Sequence, residues 1–398
     1  RETYWAANGN NTDNAESCFI GDEPLSECVL EGLVVTCFKK TAVKTEATSP
    51  LKLVKCRFLA NNTGINLGAA NGAFVAKGTI DAEDCEFSMS HTPLTVQDAG
   101  ASETDPIRLT RCRFRLNYGA SQDSGGGFSM DTPNRDLVLD GCEITDNFGF
   151  EYQLYQRCIV HIENARSLTM RNTLVARNTY KNRAYSAFYI RKVSNGLFVD
   201  NCVFRDNQKI GHGNNTEAQN AAAFLVGTID PFNNTVQSSI RNTLFESNSV
   251  VRQAECNSGT GHLIHQASVL RLTVGLIAFV NCSFVGNSCE VFSGTTVATG
   301  SSAATIQTGG NAAYPFFVNC VFSGNAAKGE VAGDLRLTSG AANTPVVFAN
   351  TVLDGAGQSS YEPIVYGSTA DKLPFMAVHC RIAGYTAAKY ADRLGTYG

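Results

Sequence analysis

Two segments of this sequence share one pattern: Asn201-Cys202-Val203-Phe204-Arg205-Asp206-Asn207 and Asn319-Cys320-Val321-Phe322-Ser323-Gly324-Asn325. In both, a cysteine anchor is followed two positions later by phenylalanine and five positions later by asparagine. Because side chains at i and i+2 of a strand point to the same side, the anchor and the phenylalanine share one face of a short strand. The asparagine predicts a turn with left-handed backbone.

The same pattern recurs along most of the chain. It predicts twelve anchors, at Cys37, Cys56, Cys85, Cys112, Cys142, Thr173, Cys202, Thr243, Cys282, Cys320, Thr351 and Cys380. A second strand is predicted behind small residues, as in Gly126-Gly127-Phe128 and Ala222-Ala223-Phe224. Apolar residues three positions before most anchors put the alternation out of phase, which predicts a bend or bulge just before the anchor. Units of about thirty residues with two or three strands indicate a β-solenoid.

Composition excludes two classes of function. The 398 residues include 32 basic and 36 acidic side chains, which gives a net charge of −4 and no polycationic surface for nucleic acid. No apolar run approaches the ~18 residues that a membrane-spanning helix needs. We therefore expect neither a nucleic-acid partner nor a membrane span.

The repeated segments resemble the coils of the right-handed parallel β-helix, or pectin-lyase-like, superfamily. The resemblance covers about residues 33 to 385 and implies an all-β parallel β-helix of about twelve coils with stacked Cys/Thr, Phe and Asn ladders. Residues 1–32 would then form an N-terminal cap, and residues 386–398 a C-terminal extension. The Phe-x-x-Asn segments look most similar to passenger repeats of polymorphic outer-membrane adhesins, which implies a secreted or cell-surface location.

The cysteines at the anchors are predicted to be buried thiols. Stacked coils hold parallel side chains ~4.7–4.9 Å apart, whereas a disulfide needs facing Cβ atoms ~3.8 Å apart. Among the five other cysteines, Cys18 could pair with Cys28 and Cys256 with Cys289, leaving Cys158 unpaired. The alternative is that all of them stay unpaired. Asn10, Asn214 and Asn233 begin Asn-x-Ser/Thr triplets in polar stretches and are candidate glycosylation sites.

One strand is a candidate ligand surface. Aromatic and basic side chains that face outward would suit sugar rings and their carboxylates, and an exposed strand of ordinary composition is the alternative. The candidates are Tyr180, Lys181, Arg183, Tyr185, Tyr189 and Arg191, with Tyr152 and Tyr155 one coil away.

Histidines supply a second candidate. The Gly211-His212-Gly213 triplet looks like that of polygalacturonase-type hydrolases, but the paired carboxylates that such hydrolysis requires do not accompany it. His262 and His265 are predicted to approach His212 from the next coil, where the three could act in acid–base chemistry or metal binding. We assign no catalytic residue and no metal ligand from the sequence.

Two hypotheses for function remain, with a third behind them. The first is a non-catalytic extracellular β-helix, an adhesin-like or fibre-forming surface protein that binds a polysaccharide or glycan surface, or copies of itself. The second is a carbohydrate-active enzyme, either a polysaccharide lyase or a glycoside hydrolase. No cofactor is expected, although the lyase alternative would allow calcium. The third is a phage or viral tail-fibre component.

Overall fold

The computed structural model describes the chain in segments. These are residues 3–6, 19–21, 28–38, 42–45, 50–61, 74–77, 79–97, 105–119, 127–149, 158–181, 186–211, 216–217, 221–229, 238–252, 262–263, 266–293, 302–328, 331–337, 346–354, 364–366 and 375–383. The chain divides into two compact units, Arg1–Ser194 and Asn195–Gly398. The described segments of both units consist of strands and the turns between them, without a helix. No described helix could therefore span a membrane.

The N-terminal unit contains three sheets. Its first sheet consists of Thr3–Ala6, Leu33–Thr36, Arg57–Leu59, Glu86–Ser88, Arg113–Arg115, Glu143–Thr145 and Leu174–Ala176. Its second sheet consists of Phe19–Gly21, Cys28–Glu31, Val43–Thr45, Leu51–Val54, Phe74–Lys77, Ile80–Glu83, Leu94–Gln97, Ile107–Thr110, Phe128–Asp140, Cys158–Arg171 and Ser186–Val193. Its third sheet consists of Tyr118–Gly119, Phe148–Gly149 and Thr179–Lys181.

The C-terminal unit repeats this arrangement. Its first sheet consists of Val203–Arg205, Leu244–Glu246, Ser283–Val285, Val321–Ser323, Val352–Asp354 and Arg381–Ile382. Its second sheet consists of Leu197–Asp200, Phe224–Ile229, Ser238–Arg241, Gln266–Val280, Ser302–Val318, Val331–Leu337, Val346–Ala349, Ile364–Tyr366 and Phe375–Val378. Its third sheet consists of Gln208–Gly211, Ser249–Arg252, Ser288–Glu290 and Ala326–Lys328, and a small fourth sheet of Thr216–Glu217, His262–Leu263 and Phe292–Ser293.

Each unit is a parallel β-helix, because every coil places its strands beside the equivalent strands of the next coil. In the N-terminal unit Phe58 pairs in parallel register with Phe87, and Phe87 with Phe114. In the C-terminal unit the same relation joins Phe245 to Phe284 and Phe284 to its equivalent in the following coil. The predicted fold class is thus confirmed.

Stacked phenylalanines fill the interior of each unit. The ring centroids of Phe58 and Phe87 lie 5.2 Å apart, and those of Phe87 and Phe114 4.8 Å apart, with nearly parallel planes. In the C-terminal unit Phe284 stacks between Phe245 and Phe322, at 5.1 and 4.3 Å. These rings are almost completely removed from solvent, and such burial is the main stabilising term in a repeat fold.

The anchors from Cys56 to Thr351 form a buried ladder beside the rings, whereas Cys380 is only partly buried. The thiols of Cys85 and Cys282 each donate to the carbonyl oxygen two residues earlier, at 3.3 and 3.5 Å. At Thr173 and Thr243 the hydroxyl makes the equivalent bond, at 2.8 and 2.6 Å. Threonine can replace cysteine here because both are small side chains with one donor.

The first predicted anchor, Cys37, is wrong. Phe58, two positions after its anchor, pairs with Val35 of the preceding coil. The anchor position of that coil is therefore two residues before Val35, at Leu33. Cys37 lies beyond the strand in an exposed position. The short 19-residue spacing between Cys37 and Cys56 was the signal of this offset.

The predicted left-handed turn is displaced by one residue. The positive φ belongs to the residue just before the asparagine that follows each anchor by five positions, as at Leu116 (φ 56°) and Asp206 (φ 55°). The asparagines themselves form a buried ladder. Asn147 Nδ2 donates to the Asn178 side-chain oxygen at 2.9 Å and to the carbonyl oxygen of Phe114 at 2.9 Å. The bend predicted just before the anchors is present, with positive φ at Asn201, Asn319 and His379 among others.

For each of the two possible disulfides, the structure describes only one cysteine. Cys28 and Cys289 are free thiols, while Cys18 and Cys256 lie outside the described residues. Cys289 points into the coil, where it packs with Val250 and Ala327 and is inaccessible to a partner in a connecting segment.

Candidate functional site

The candidate site lies on the outward side of the second sheet in the N-terminal unit. In the strand Ser186–Val193, Phe188 and Ile190 are fully buried, whereas Tyr189 is partly exposed and Arg191 exposed. This alternation is what a strand with one face toward an apolar interior requires. The predicted outward orientation of Tyr189 and Arg191 agrees with it.

The preceding strand, Cys158–Arg171, adds two residues to the same surface. His161 pairs in register with Tyr189, and the two rings stack with centroids 5.3 Å apart and planes inclined by 26°. Glu163 contacts His161 Nε2 through its Oε2 at 3.3 Å and accepts a hydrogen bond from Arg191 Nη1 at its Oε1. We call His161, Glu163, Tyr189 and Arg191 the Tyr189 wall.

Exposure within the Tyr189 wall differs between its members. The Arg191 side chain is 63% exposed, that of Glu163 25% and that of His161 10%. The carboxylate therefore lies between an exposed cation and a mostly buried imidazole. Arg191 keeps donors directed to solvent, since a guanidinium has five N–H groups.

The adjoining outward positions are polar. Ser129, in the preceding coil, pairs in register with His161. Thr95, one coil earlier still, pairs with Ser129. Beside them, Asn164 Nδ2 donates to Asp131 Oδ1 at 2.9 Å. The row therefore changes from small hydroxyl side chains to large rings along the stack.

This arrangement can do two things chemically. A flat aromatic face next to a guanidinium and a carboxylate can hold a sugar ring by stacking and pair with its hydroxyls or acidic substituents. A histidine held by a carboxylate can also accept or donate a proton.

Other carboxylates on the outside of the N-terminal unit are paired with arginines on neighbouring rungs. Arg177 contacts Asp146 at 2.7 Å, and Arg166 binds Asp136 through two nitrogens. The hydrogen bonds from these arginines lower the pKa of Asp146 and of Asp136 below their usual range. In the described segments no group of three or more His, Cys, Asp or Glu side chains is placed to hold a metal ion.

Tyr180 does not belong to the outer surface. Its side chain is fully buried, and burial raises its pKa well above the usual value. It lies in the third sheet, two residues after Asn178, and its ring packs inside the coil near Cys158. It is therefore unavailable as a ligand-binding residue on the wall.

Most of the other predicted site residues are not described. Tyr152, Tyr155, Arg183, Tyr185, His212 and His265 lie outside the described residues, as do Asn10, Asn214 and Asn233. Lys181 ends the strand Thr179–Lys181, and His262 lies in the strand His262–Leu263, but the surroundings of these two side chains are not described. The proposed group of three histidines stays a prediction.

His161 and Glu163 were missed by the sequence analysis. The signal was present, because Val160-His161-Ile162 matches Phe188-Tyr189-Ile190 in its alternation. The prediction instead placed Tyr152 and Tyr155 beside Tyr189, since connections of unequal length obscure the register between coils.

Comparison with known families agrees with the fold. Residues 41–227, just under half of the chain, match the family model described as the right-handed beta helix region. The match supports the β-helix superfamily and the predicted right-handed parallel β-helix. No curated protein and no solved structure gives a significant match.

Proposed function

We propose that this chain is a secreted or cell-surface β-helix that binds a glycan, without catalysis, through the Tyr189 wall. The observation that carries the proposal is the stacked pair of His161 and Tyr189 beside the exposed Arg191. Aromatic rings and arginine together suit a sugar that bears carboxylate or sulfate groups. The adhesin-like repeats support the same class of function.

The charge arrangement favours binding over hydrolysis. Glycoside hydrolysis needs two carboxyl groups placed on either side of the scissile bond, one of them protonated. In the Tyr189 wall Glu163 is engaged by Arg191 and His161 together. Its neighbour Asp131 accepts a hydrogen bond from Asn164. Both groups are thus arranged as fixed acceptors that hold the surface in shape.

The test is binding to a panel of acidic and neutral polysaccharides, measured by calorimetry or on a glycan array. The double variant Tyr189→Ala, Arg191→Ala is expected to weaken binding at least about tenfold, because it removes the stacking face and the exposed cation. The variant Arg113→Ala is the matched control, because Arg113 is also exposed but lies on the first sheet. Equal binding by the double variant and the wild type would remove the Tyr189 wall from consideration.

A lyase is the second candidate, and the contact of 3.3 Å between His161 and Glu163 favours it. A carboxylate close to an imidazole is a common element of acid–base catalysis. Incubation with pectate, alginate and glycosaminoglycans, with and without calcium, should then release unsaturated ends that absorb in the ultraviolet. The variant His161→Ala should abolish that signal. Binding without any such product across the panel would leave only the non-catalytic function.

A further inference from the structure

A second polar row lies on the second sheet of the C-terminal unit. Leu225, Arg271, Gln307 and Arg336 occupy equivalent positions on successive rungs. The neighbouring row, which contains Phe224, faces the interior, since the rings of Phe224 and Phe204 lie 4.6 Å apart. Because side chains alternate along a strand, the row of Arg271 and Arg336 is directed away from that interior.

The arginines of this row are buried nevertheless. Arg271 is 3% exposed and Arg336 7% exposed, and Gln307 between them is completely buried. Arg271 Nη1 donates to Gln307 Oε1 at 2.7 Å, which orients both side chains. On the outward side of the second sheet in the N-terminal unit, by contrast, the Arg191 side chain is 63% exposed.

Arg336 carries a charge that nothing compensates in the described part of the chain. No described side chain forms an ion pair or hydrogen bond with its guanidinium, and its Nε is buried without an acceptor. Asp334, two residues earlier, instead accepts a hydrogen bond from Asn325 Nδ2 at 3.1 Å. A buried guanidinium without an anion is strongly unfavourable, so it calls for an explanation.

Arg271, in the same row, adds a second buried positive charge. Burial lowers the pKa of Arg336 to about 10, and burial together with repulsion from Arg336 lowers the pKa of Arg271 to about 10. Both remain charged at neutral pH.

We propose that Arg336, with Arg271 and Gln307 beside it, forms a binding site for an oxyanion. The guanidinium fork suits the two oxygens of a carboxylate or two oxygens of a sulfate or phosphate group. Gln307 lies on the coil between the two arginines and accepts a hydrogen bond from Arg271, so Arg336 is the cation left to bind the oxyanion. The site lies in another part of the chain from the Tyr189 wall and does not depend on the proposed function.

The test measures thermal unfolding at constant ionic strength while chloride is replaced by sulfate, phosphate, acetate or monomeric galacturonate. A ligand that binds only the folded state raises the melting temperature with concentration. We expect at least one oxyanion to stabilise the wild type and its affinity, measured by calorimetry, to fall at least about tenfold in Arg336→Gln. The series separates an inorganic anion from an organic carboxylate.

A second variant distinguishes a ligand site from a structural role by the direction in which it changes the melting temperature. Arg336→Met should melt higher than the wild type in chloride alone, because it removes an uncompensated buried charge, and should not respond to the oxyanion. Arg381→Gln, at an exposed arginine, should respond like the wild type. The double variant Tyr189→Ala, Arg191→Ala should also keep the response. The proposal is overturned if the wild type responds to no oxyanion, or if Arg336→Gln responds as the wild type does.

Discussion

At the residue scale, the buried asparagine ladder shows how one polar side chain can fit an apolar interior. Asn248 Nδ2 donates to the carbonyl oxygen of Phe204 at 2.9 Å and to the side-chain oxygen of Asn287 at 3.0 Å. Its own side-chain oxygen accepts from Asn207 Nδ2 at 2.9 Å. Every rung thus satisfies the one before it, which is what makes a buried amide tolerable.

The variant Asn248→Ala should therefore lower the free energy of unfolding by at least ~2 kcal/mol, because it leaves buried partners on both neighbouring rungs without a bond. Chemical denaturation measures the change. The control is Asn281→Gly, which removes an exposed ladder amide, bonded to Asn242 at 3.0 Å, from a residue with φ of 55° that glycine accepts. It should change stability by no more than ~0.5 kcal/mol. Equal effects of the two variants would contradict the role given to the buried ladder.

The ion pair between Asp136 and Arg166 predicts how the stability of the fold changes at acidic pH. Hydrogen bonds from Arg166 and Ser167 hold the pKa of the Asp136 carboxyl group below its usual range. A carboxyl group whose folded-state pKa is depressed stabilises the fold above its unfolded pKa, and this contribution is lost as pH falls through the folded-state value. Stability should accordingly decrease below about pH 4.

The variant Asp136→Asn should flatten this acid dependence in denaturation curves recorded from pH 5 to pH 2. Arg166→Gln should flatten it to a smaller degree, because it removes the donor with the largest effect on the pKa and leaves the bond from Ser167. The double variant should show no further change beyond Asp136→Asn, since that substitution already removes the titrating group. Additive effects would mean that the two residues act separately.

At the element scale, each short strand of the first sheet carries one interior side chain between two outward ones. Phe284 in Ser283–Val285 is completely buried, and its ring stacks on both neighbours. The strands have only three residues, so a single ring provides most of the apolar area that a strand contributes. Loss of one ring is therefore loss of the strand's main contact with the core.

Substitution Phe284→Ala should lower the free energy of unfolding by ~3–5 kcal/mol, through lost burial and the cavity left behind. Phe284→Asp should prevent folding, because it buries an unpaired carboxylate. Arg205→Ala, on the exposed side of the equivalent strand Val203–Arg205, should stay within ~0.5 kcal/mol of the wild type. Denaturation and circular dichroism distinguish these results, and a stable Phe284→Asp protein would contradict the assigned interior.

The strand positions were the most predictable part of the molecule. The period between anchor and phenylalanine requires only that neighbours at i and i+2 share a face, so Phe58 and Phe284 were placed correctly. Asn147 was assigned to the turn, because in sequence a turn asparagine and a ladder asparagine look alike. Only stacking of a second asparagine above it gives the amide its partners, and those lie 31 residues away.

At the scale of the whole molecule, nearly all stabilising contacts join distant parts of the chain. The ladder bond from Asn117 to Asn147 spans 30 residues, and that from Asn207 to Asn248 spans 41. No coil of the described segments has its own local hydrogen-bonded element to form first. The entropy of closing such loops is lost before the contacts form.

Refolding from denaturant should consequently be slow, with time constants of about a second or longer at 25 °C. Stopped-flow circular dichroism should show gradual gain of strand signal and no transient helical signal. The variant Arg205→Ala should refold at the wild-type rate. Complete refolding within about a millisecond would contradict a fold built from contacts between coils.

The sequence by itself determined the coil period, most of the inward side chains and the parallel stacking, because a short pattern of anchor, phenylalanine and asparagine recurs once in each coil. The tertiary structure decided which residues of different coils meet. His161 lies beside Tyr189, Tyr180 points inward, and Arg336 is buried beside Gln307 in the same row as Arg271; the repeat period reveals none of these facts. Connections of unequal length separate the repeats, so the register across rungs is set by packing between coils and not by distance along the chain.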